Sequence, residues 1–574
     1  MLQFLSGTLF GQLIRCAGGR QLVPYSDERD DLHLDSAFHH SNHTSQVTNH
    51  ATHSTTSEKG YGQESSRDGP ITDVHAEAGL NVSSTDIENV ASDHTGSNVY
   101  PAKEIAQSEI IVIDWCGKKD VDNPLNWSLW KKAMILITVN YASCMVYMAA
   151  AIYTVSQKEV EQVFGVSTLV ATLPFGSYII GYGIGPLFWG PLSELPSIGR
   201  NIPYTAGMTI FMILTIPTAL ADNIGSLIFL RFLCGLAGSP VLCIGGASLT
   251  DIADGLDKPY TLYTWAVFSL AGPALGTIVA GFITPLLGWR WSLWLIPIVN
   301  GPALILFYLL PESSPAAILH DRARRIRAKT GESKYRTAAE LQLLARPLKD
   351  RLKASLVIPW KVNALDPSIM YTSLYLGLLY AVFYSFFESI PLVYSGTYGM
   401  TQRQVGLMFL SVVISVILFG IPYVYFIHCF VNRRLRAGIS VTPEQRLLPA
   451  LLASFVIPSG LFIFGWTARP SIHFMVPTIG VGMVVGSTIL ILQCIFVYIT
   501  LAYPQYAASL FSGNGLARAL IAFCGVLWTH PMYDNMGNNF AMTTMGCICG
   551  VCVIGMIVLY KYGHILRAKS RFTT

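Results

Sequence analysis

Long apolar segments follow one another along this chain after an extended polar beginning, and polar loops separate them. A helix rises about 1.5 Å per residue, so roughly 20 apolar residues cross a hydrocarbon core of about 30 Å. Twelve segments meet that requirement: 133–153, 169–189, 204–220, 226–249, 263–284 and 293–310, then 369–394, 405–427, 447–466, 473–500, 506–528 and 540–560. The pattern predicts an all-α membrane protein with twelve transmembrane helices.

One long basic segment lies between the sixth and seventh apolar segments and divides them into two sets of six. We therefore expect two six-helix bundles, residues 126–310 and 368–562, joined by a central loop over 311–367. Residues 1–125 and 563–574 are expected to form terminal tails. Paired bundles built from inverted three-helix repeats typically enclose a binding site near the middle of the membrane.

Composition agrees with this class and excludes others. Hydrophobic residues make up 52% of the chain and charged residues 13%, against roughly 25% charged in a soluble domain. A net charge of +4 is too small to indicate nucleic-acid binding. Most cysteines lie in apolar segments and are expected to pack as small hydrophobic groups. The histidines of the tail are irregularly spaced with no accompanying cysteine, so we expect no metal site.

Lysine and arginine are distributed unevenly between the loops on the two sides of the predicted bundle. With a cytosolic N-terminus, the cytosolic loops and flanks carry 26 Lys or Arg residues and the exterior loops carry four. Twelve of the 26 lie between residues 311 and 365. Because positive residues concentrate on the cytosolic side of membrane proteins, we expect both termini and the central loop to be cytosolic.

The polar beginning of the chain has the composition of a disordered tail. Residues 25–100 are rich in Ser, Thr, Asp, His and Asn and poor in large apolar side chains. Such a segment buries too little surface to offset its chain entropy. Three glycosylation sequons occur before the first span, at Asn42, Asn81 and Asn126. A cytosolic tail does not meet the glycosylation machinery, so we expect these sites to be unmodified.

Three short motifs occur in the first half of the chain. They are Gly190, Glu194, Gly199 and Arg200 after the second span, Arg231 in the fourth, and Gly272, Pro273, Gly276 and Gly281 in the fifth. At these positions they resemble the loop motif, the helix-four arginine and the helix-five antiporter motif of the major facilitator superfamily. The loop departs from the family pattern, because Glu194 replaces an Asp and two extra residues precede Gly199. We expect Glu194 to offer the charge partner of this loop.

The resemblance extends from about residue 114 to residue 560. The segments that carry it further are 310–327, 386–394, 446–450, 464–467 and 514–518, which are similar to those of fungal twelve-span drug:proton antiporters. Within that group the chain looks closest to benomyl and azole resistance pumps and to fungal toxin-efflux pumps. The resemblance implies the two-bundle fold and proton-coupled export across the plasma membrane. No Walker lysine motif occurs, so we expect the proton gradient and not ATP to drive the cycle, without a cofactor.

Polar side chains inside the spans are candidates for the transport pathway, because an ionisable group in hydrocarbon is costly unless it is paired or hydrated. The candidates are Glu388, Arg231, Arg518 and Asn514. Glu388 lies among aromatic residues and is suited to take up and release protons; a structural ion pair or a wet helix end is the alternative. Arg231 either holds a proton-coupling carboxylate or anchors its helix. Arg518 either lines the pathway or packs the bundle.

The glycines of the fifth span have a packing interpretation and a mechanical one. Small residues about one turn apart let helices pack closely, and Pro273 interrupts the backbone ladder and permits a bend. In a transporter such a joint would allow the two halves to rock against each other.

Aromatic residues in the spans, Tyr147, Tyr375 and Phe383 among them, favour a small amphipathic, aromatic substrate over a sugar. Any single one of them is more often a packing residue.

These observations favour a proton-coupled efflux pump that exports small toxic organic compounds and acts as a monomer, and they argue against an enzyme. Two alternatives stay open. One is an importer of a nutrient such as a polyamine, a vitamin or a sugar, which the direction of proton-dependent flux distinguishes. The other is a membrane sensor that binds a ligand without net transport; such a sensor would need no proton-titrating Glu388.

Overall fold

The structure is a computed structural model that describes residues 7–16, 110–344, 357, 361–363, 365–503 and 507–570. Spans 1 to 6 are Leu129–Ala151, Thr168–Ile184 with its continuation Pro186–Ser193, Asn201–Ala219, Ile224–Asp251, Lys258–Leu287 and Trp289–Leu309. Spans 7 to 10 are Pro367–Tyr398, Gln402–Met408 with its continuation Leu410–Phe426, Leu448–Thr467 and Met475–Ala502. The order and positions of these helices confirm the predicted helical membrane fold.

Spans 11 and 12 belong to one long element, Ala507–Lys569, whose backbone leaves the helical conformation at Gly537. The φ angle there is +72°, in the left-handed region that glycine adopts without steric cost. Eleven helices in the described residues are long and apolar enough to cross a bilayer, and the last of them, Leu510–Ala568, has 59 residues. Because roughly 20 residues suffice for one crossing, this element supplies two, and the described residues contain the predicted twelve spans.

Spans 2 and 4 cross so closely that their backbones touch. A Cβ atom on Gly181 would lie 2.2 Å from the carbonyl oxygen of Phe232, and one on Gly235 would lie 2.2 Å from that of Tyr178. Lipid tails are as apolar as side chains, so helices in a membrane associate through such close packing and not through the hydrophobic effect. These two glycines therefore set the separation of spans 2 and 4 within the first half.

The two halves meet along spans 2 and 11 and along spans 5 and 8. A Cβ atom on Gly183 of span 2 would lie 2.2 Å from the Cβ of Ala519 in span 11. A Cβ atom on Gly281 of span 5 would lie 3.3 Å from the Cα of Gly406 in span 8. These close approaches at small residues hold the halves together on both sides of the space between them.

The segment before span 1 is docked on the central loop from residue 110 onward. Strand β1, Ile111–Ile113, pairs in parallel with strand β2, Tyr335–Thr337, which lies in the central loop. The composition of residues 110–125 did not indicate this pairing, and the segment is ordered where the sequence analysis placed a tail. Residues 17–109, to which most of the disorder prediction applies, lie outside the described residues.

A buried ion pair fixes this docking. Arg322 lies in the helix Pro315–Thr330 of the central loop, and its guanidinium donates to Asp120 at 2.7 and 3.0 Å and to Asp122 at 2.9 Å. Burial acts to raise the pKa of Asp120, but the hydrogen bonds and charge of Arg322, with two backbone N–H donors, hold it below its usual value. The pair thus links the segment before span 1 to the segment after span 6.

The first described residues also contact the end of span 6. The short helix Leu9–Cys16 is preceded by Thr8, which forms an isolated antiparallel bridge with Pro311. The backbone N–H of Glu312 donates to the carbonyl oxygen of Gly7 at 3.0 Å. Residues 7–16 are therefore joined to the helical body at the end of span 6, which composition alone did not indicate.

We expect Asp120→Asn to weaken the docking of β1 by about 1–3 kcal/mol, because Arg322 stays buried with one charged partner fewer. The free energy is measured by hydrogen exchange at the amides of β1 and β2. Since the folded pKa of Asp120 lies below the unfolded value of about 3.9, its contribution is present above that pH and is lost as the pH falls through the folded pKa.

The matched control is Asp114→Asn, which changes an exposed carboxylate one residue after β1. Equal amide protection in the Asp120→Asn variant, the Asp114→Asn variant and the unaltered protein would show that the ion pair does not hold the segment.

Candidate functional site

A cavity of about 370 Å³ lies between the two halves. Both halves contribute to its lining, which includes Tyr147, Tyr182, Trp265, Tyr380, Gln493, Phe496 and Arg518. Two further lining residues, Glu194 and Arg200, belong to the loop between spans 2 and 3. Because Glu194 is exposed, the cavity opens on this side of the protein, which we call the loop 2–3 face.

The other end of the cavity is closed by aromatic side chains from both halves. The hydroxyl of Tyr182 donates to the hydroxyl of Tyr384 at 3.0 Å, which joins span 2 to span 7. The ring of Phe175 lies 5.8 Å from that of Tyr384 and 6.3 Å from that of Phe387. Closer to the loop between spans 7 and 8, the side chain of Gln402 donates to the carbonyl oxygen of Val155 at 2.7 Å. The structure is thus open on one face and sealed on the opposite one.

Glu388 lies in this sealed region, about two helical turns past Tyr380 on span 7, and is only 3% exposed. Its Oε1 accepts a hydrogen bond from Nε2 of Gln157 at 2.7 Å, and its Oε2 is 3.0 Å from Nε2 of His530. Gln157 begins the short helix Gln157–Phe164 after span 1, whereas His530 belongs to span 11. The carboxyl group therefore has partners in both halves, and one of them is itself titratable.

Arg231 of span 4 caps the carbonyl end of span 1. Its NH1 and NH2 groups donate at 2.8 Å to the carbonyl oxygens of Ala149 and Ala150, and its guanidinium lies 4.7 Å from the ring centroid of Tyr178. The last carbonyls of a helix have no partner within the helix, so this side chain satisfies two of them. Among the described residues no carboxylate forms an ion pair with Arg231. The structure supports the anchoring interpretation and shows no carboxylate held by this residue.

Arg518 and Asn514 lie about one turn apart on span 11 but have different surroundings. Arg518 lines the cavity, with its guanidinium 4.5 Å from the ring centroid of Tyr380 and 5.1 Å from that of Phe496. Asn514 is buried and donates to the hydroxyl of Ser373 in span 7 at 3.1 Å. It is not a lining residue, so this structure places Asn514 in helix packing and not in the pathway.

The arginine of the loop motif pairs with a residue that the sequence analysis did not select. Nε of Arg200 is 3.3 Å from Oδ2 of Asp251, the last residue of span 4, and its NH1 donates to Ser193 at 3.3 Å. Glu194, the expected charge partner, stays exposed at the cavity mouth and forms no ion pair with Arg200. The charge of Arg200 still acts on Glu194, so Glu194 is a charged neighbour, whereas Asp251, which the end of span 4 brings to the loop, is the direct partner of Arg200.

Glu312 organises the other side of this loop. Its Oε1 accepts from the backbone N–H groups of Arg200 at 2.9 Å and Ser314 at 2.8 Å, and its Oε2 accepts from that of Asn201 at 2.9 Å. Free N–H groups and the helix dipole favour an anion at the start of span 3. Burial raises the pKa of Glu312, and the three donors act in the opposite direction. A Cβ on Gly199, whose φ is +70°, would lie 2.5 Å from Oε2, which explains the glycine.

The helix-five motif packs against two different helices. Cβ atoms on Gly272 and Gly276 would lie 2.3 and 2.7 Å from carbonyl oxygens of span 1, within the same half. Gly281 instead contacts Gly406 of span 8, across the boundary between the halves. Pro273 lies inside the continuous span 5, beside the span 1 contact. Of the glycine contacts in this motif, only that of Gly281 lies between the halves, where a movement of one half against the other would change it.

The aromatic lining differs in its members from the residues named in the sequence analysis. Tyr147 lines the cavity, whereas Tyr375 and Phe383 are buried in helix packing. Periodicity in hydrophobic helices does not distinguish these cases, because apolar residues occur on every side of the spans. The lining aromatics that the sequence analysis did not name are Tyr182, Trp265, Tyr380, Phe496 and Phe511.

Sequence reasoning missed four functional partners, which are Gln157, His530, Asp251 and Glu312. Gln157 and Asp251 lie at helix ends, and His530 lies two residues past the predicted eleventh apolar segment. Polar residues are common at such positions, and hydropathy assigns them no special role. A signal for Glu312 was present, because an acid directly after span 6 stands in a segment that resembles the antiporter family. Its partners, however, are more than a hundred residues away in sequence.

The remaining site predictions concern sequons and metals. Asn42 and Asn81 lie outside the described residues. The side-chain nitrogen of Asn126 donates at 2.9 Å to the carbonyl oxygens of Lys118 and Asp120, so it has a structural role before span 1. In the part of the chain that the structure describes, no group of three or more His, Cys, Asp or Glu side chains is placed to hold a metal ion.

Known proteins share this arrangement of spans. The family model of the Major Facilitator Superfamily matches residues 135–522, from span 1 into span 11. The chain belongs to the major facilitator superfamily. Its similar superfamily relatives include "MFS-type transporter pyvG" of Aspergillus violaceofuscus, 45% identical over 82% of this chain and 87% of the relative. "Multidrug transporter FLR2" of Candida glabrata is 36% identical (84% and 82% covered), and "Fluconazole resistance protein 1" of Saccharomyces cerevisiae is 34% identical (87% and 91% covered).

Solved structures of the superfamily show the same fold. The xylose transporter XylE from E. coli, in a partially occluded inward open conformation, aligns with a TM-score of 0.54 and 15% identity over 75% of this chain and 98% of its own. The family places this protein among membrane transporters and not among enzymes.

Alanine substitutions should separate the two roles of the helix-five glycines. Gly272→Ala is expected to destabilise the fold by about 1–3 kcal/mol and to lower the amount of protein, because its methyl group meets the backbone of span 1. Gly281→Ala is expected to preserve the amount of protein and to slow transport per molecule. Protein level in the membrane and initial transport rate are the two measurements.

Gly301→Ala in span 6 is the control, because nothing lies within 4 Å of a Cβ atom there. Normal transport per molecule in Gly281→Ala would contradict a mechanical role for the contact between spans 5 and 8.

Proposed function

We propose that this protein is a proton-coupled efflux pump that exports small toxic organic compounds from the cytosol across the plasma membrane. The observation that carries the proposal is the cavity between the halves, which is lined by aromatic side chains, open on the loop 2–3 face and sealed at the level of Glu388. A cavity with access to one side at a time is what alternating-access transport requires.

The names of two relatives support export as the direction. One is named as a multidrug transporter and another for resistance to fluconazole. A transporter confers resistance when it removes a compound from the cell, so these names favour export over nutrient import. The likeness to a xylose transporter, at 15% identity, concerns the fold and does not favour a sugar as the substrate.

The distribution of positive charge supports the orientation. The central loop and the loop after span 8 are rich in Lys and Arg, which favours an orientation with the loop 2–3 face and both termini in the cytosol. In this orientation the cavity is open to the cytosol and accepts compounds from it, and the sealed end with Glu388 faces the exterior.

We assign the proton step to the pair formed by Glu388 and His530. Burying a carboxylate costs free energy that is reduced when the group is neutralised or paired. Uptake of an exterior proton by the pair therefore favours the state in which the exterior side is closed around Glu388 and Gln157. Loss of the proton restores the charge and favours opening to the exterior. The proton gradient biases this cycle towards export, and neither ATP nor a cofactor takes part.

The lining favours an amphipathic aromatic substrate. Tyr147, Tyr182, Trp265, Tyr380 and Phe496 offer flat apolar surfaces, whereas Gln493 is the one amide among the lining residues that the structure describes. A sugar is bound through many polar contacts, and amides that would donate and accept at once are reduced here to this single side chain. One chain contains both halves of the cavity, so a monomer suffices for transport.

We expect Glu388→Gln to lower gradient-driven uptake into inside-out vesicles at least about tenfold. The probes are neutral aromatic compounds that include labelled fluconazole, and the vesicle interior is acidified. The variant keeps the shape and the Gln157 contact but cannot exchange a proton. Exchange of labelled for unlabelled compound without a gradient is expected to survive, because it needs no net proton movement.

The control is Glu444→Gln, which removes another buried carboxylate, one that pairs with Arg567 at 2.9 Å away from the cavity. Full gradient-driven uptake by Glu388→Gln at every pH would refute the proton assignment. Proton-dependent accumulation into cells would identify an importer, and binding without flux would identify a sensor.

A further inference from the structure

Three charged residues line the cavity, and one of the two arginines among them has no charged partner. Arg200 pairs with Asp251, and Glu194 lies exposed at the mouth. Arg518 forms neither an ion pair nor a hydrogen bond with any residue that the structure describes, and its Nε atom is buried. The inner part of the cavity therefore carries a positive charge that the described protein does not neutralise.

Aromatic stacking holds this charge in place. The guanidinium of Arg518 lies 4.5 Å from the ring centroid of Tyr380 in span 7 and 5.1 Å from that of Phe496 in span 10. Contacts with ring faces restrain a guanidinium while they leave the N–H groups at its edge free to donate. Both rings also line the cavity, so a flat molecule in contact with them would present its substituents to that edge.

A second donor points to the same kind of ligand. Gln493 lines the cavity near the hydroxyl of Tyr423, and its buried side-chain Nε2 forms no hydrogen bond of normal geometry with any described residue. A buried donor without an acceptor is costly, and a ligand oxygen would remove that cost. Both unpaired groups are donors, and Glu194 at the mouth is the one carboxylate among the described lining residues. The two lining groups that lack a partner are thus both donors.

We infer that the cavity selects aromatic organic anions, such as carboxylates, sulfonates or acidic phenols, over cations of the same shape. The anionic oxygens accept from Arg518 and Gln493, and the ring lies against Tyr380 and Phe496. Hydrogen bonds between a guanidinium and an anion are short and strong, and Arg518 repels a cation in a cavity of low dielectric constant. The inference rests on the proposed function in taking this cavity as the substrate site, but it does not depend on the driving force.

The test is binding to the purified full-length protein in detergent, measured by calorimetry with three probes that share one ring system. These are 2-naphthalenesulfonate as a permanent anion, 2-naphthalenesulfonamide as a neutral analogue, and 2-naphthyltrimethylammonium as a permanent cation. We expect the anion to bind at least about tenfold more tightly than the neutral probe, and the cation more weakly still. In Arg518→Gln this order is expected to disappear, and Arg518→Lys should keep part of it.

The matched control is Arg469→Gln. Arg469 also lies over an aromatic ring, 5.8 Å from the centroid of Trp466, but it is in the loop between spans 9 and 10 and does not line the cavity. We expect wild-type binding of all three probes by this variant. If Arg518→Gln does not fold, the unaltered protein alone decides between the outcomes through the order of the three affinities.

The inference is overturned if the unaltered protein binds the cation or the neutral probe as tightly as the anion, or does not bind the anion. It is also overturned if a folded Arg518→Gln variant keeps the preference. The vesicle experiment with neutral compounds is a separate test. A preference for anions without proton-driven flux would leave this inference intact and refute the proposed function. Proton-driven flux of the neutral compounds without a preference for anions would refute this inference alone.

Discussion

Every backbone N–H and C=O group that enters hydrocarbon must find its partner within the protein, because lipid offers none. Helices meet this requirement internally except at their ends, and the end of span 1 shows how the protein deals with an exception. The carbonyl oxygens of Ala149 and Ala150 accept from Arg231, and that of Ala151 accepts from the hydroxyl of Thr154. A buried arginine therefore allows span 1 to end at Ala151, just before the sealed region that contains Gln157 and Glu388.

The same constraint explains why small residues dominate the contacts that position the cavity. Helices that already satisfy their own backbones associate in lipid through close packing. Gly181 and Gly235 bring spans 2 and 4 into backbone contact, and Gly281 and Gly406 do so for spans 5 and 8. The first contact stabilises one half, whereas the second lies between the halves. The cavity is the space that remains where the halves do not touch.

The two ends of that space differ in chemistry. The sealed end combines aromatic rings with Glu388, Gln157 and His530, so its closure depends on a group whose charge can change. The open end is bounded by a loop that Asp251 and Glu312 hold through charge and backbone hydrogen bonds. The backbone of Glu312 also contacts Gly7, so residues 7–16, the start of span 3 and the exit from span 6 form one connected unit on the loop 2–3 face.

The sequence by itself determined the spans, their division into six and six, the family and the candidates Glu388, Arg231 and Arg518. Hydropathy and short motifs are properties of neighbouring residues, so they are visible without a structure. Only the tertiary structure decided the partners. Those of Glu388 are 231 and 142 positions away in the chain, and the location of Asn514 outside the cavity depends on which side of span 11 faces span 7. Such pairings arise from the packing of distant helices, where apolar residues surround each span and leave no periodic signal of direction.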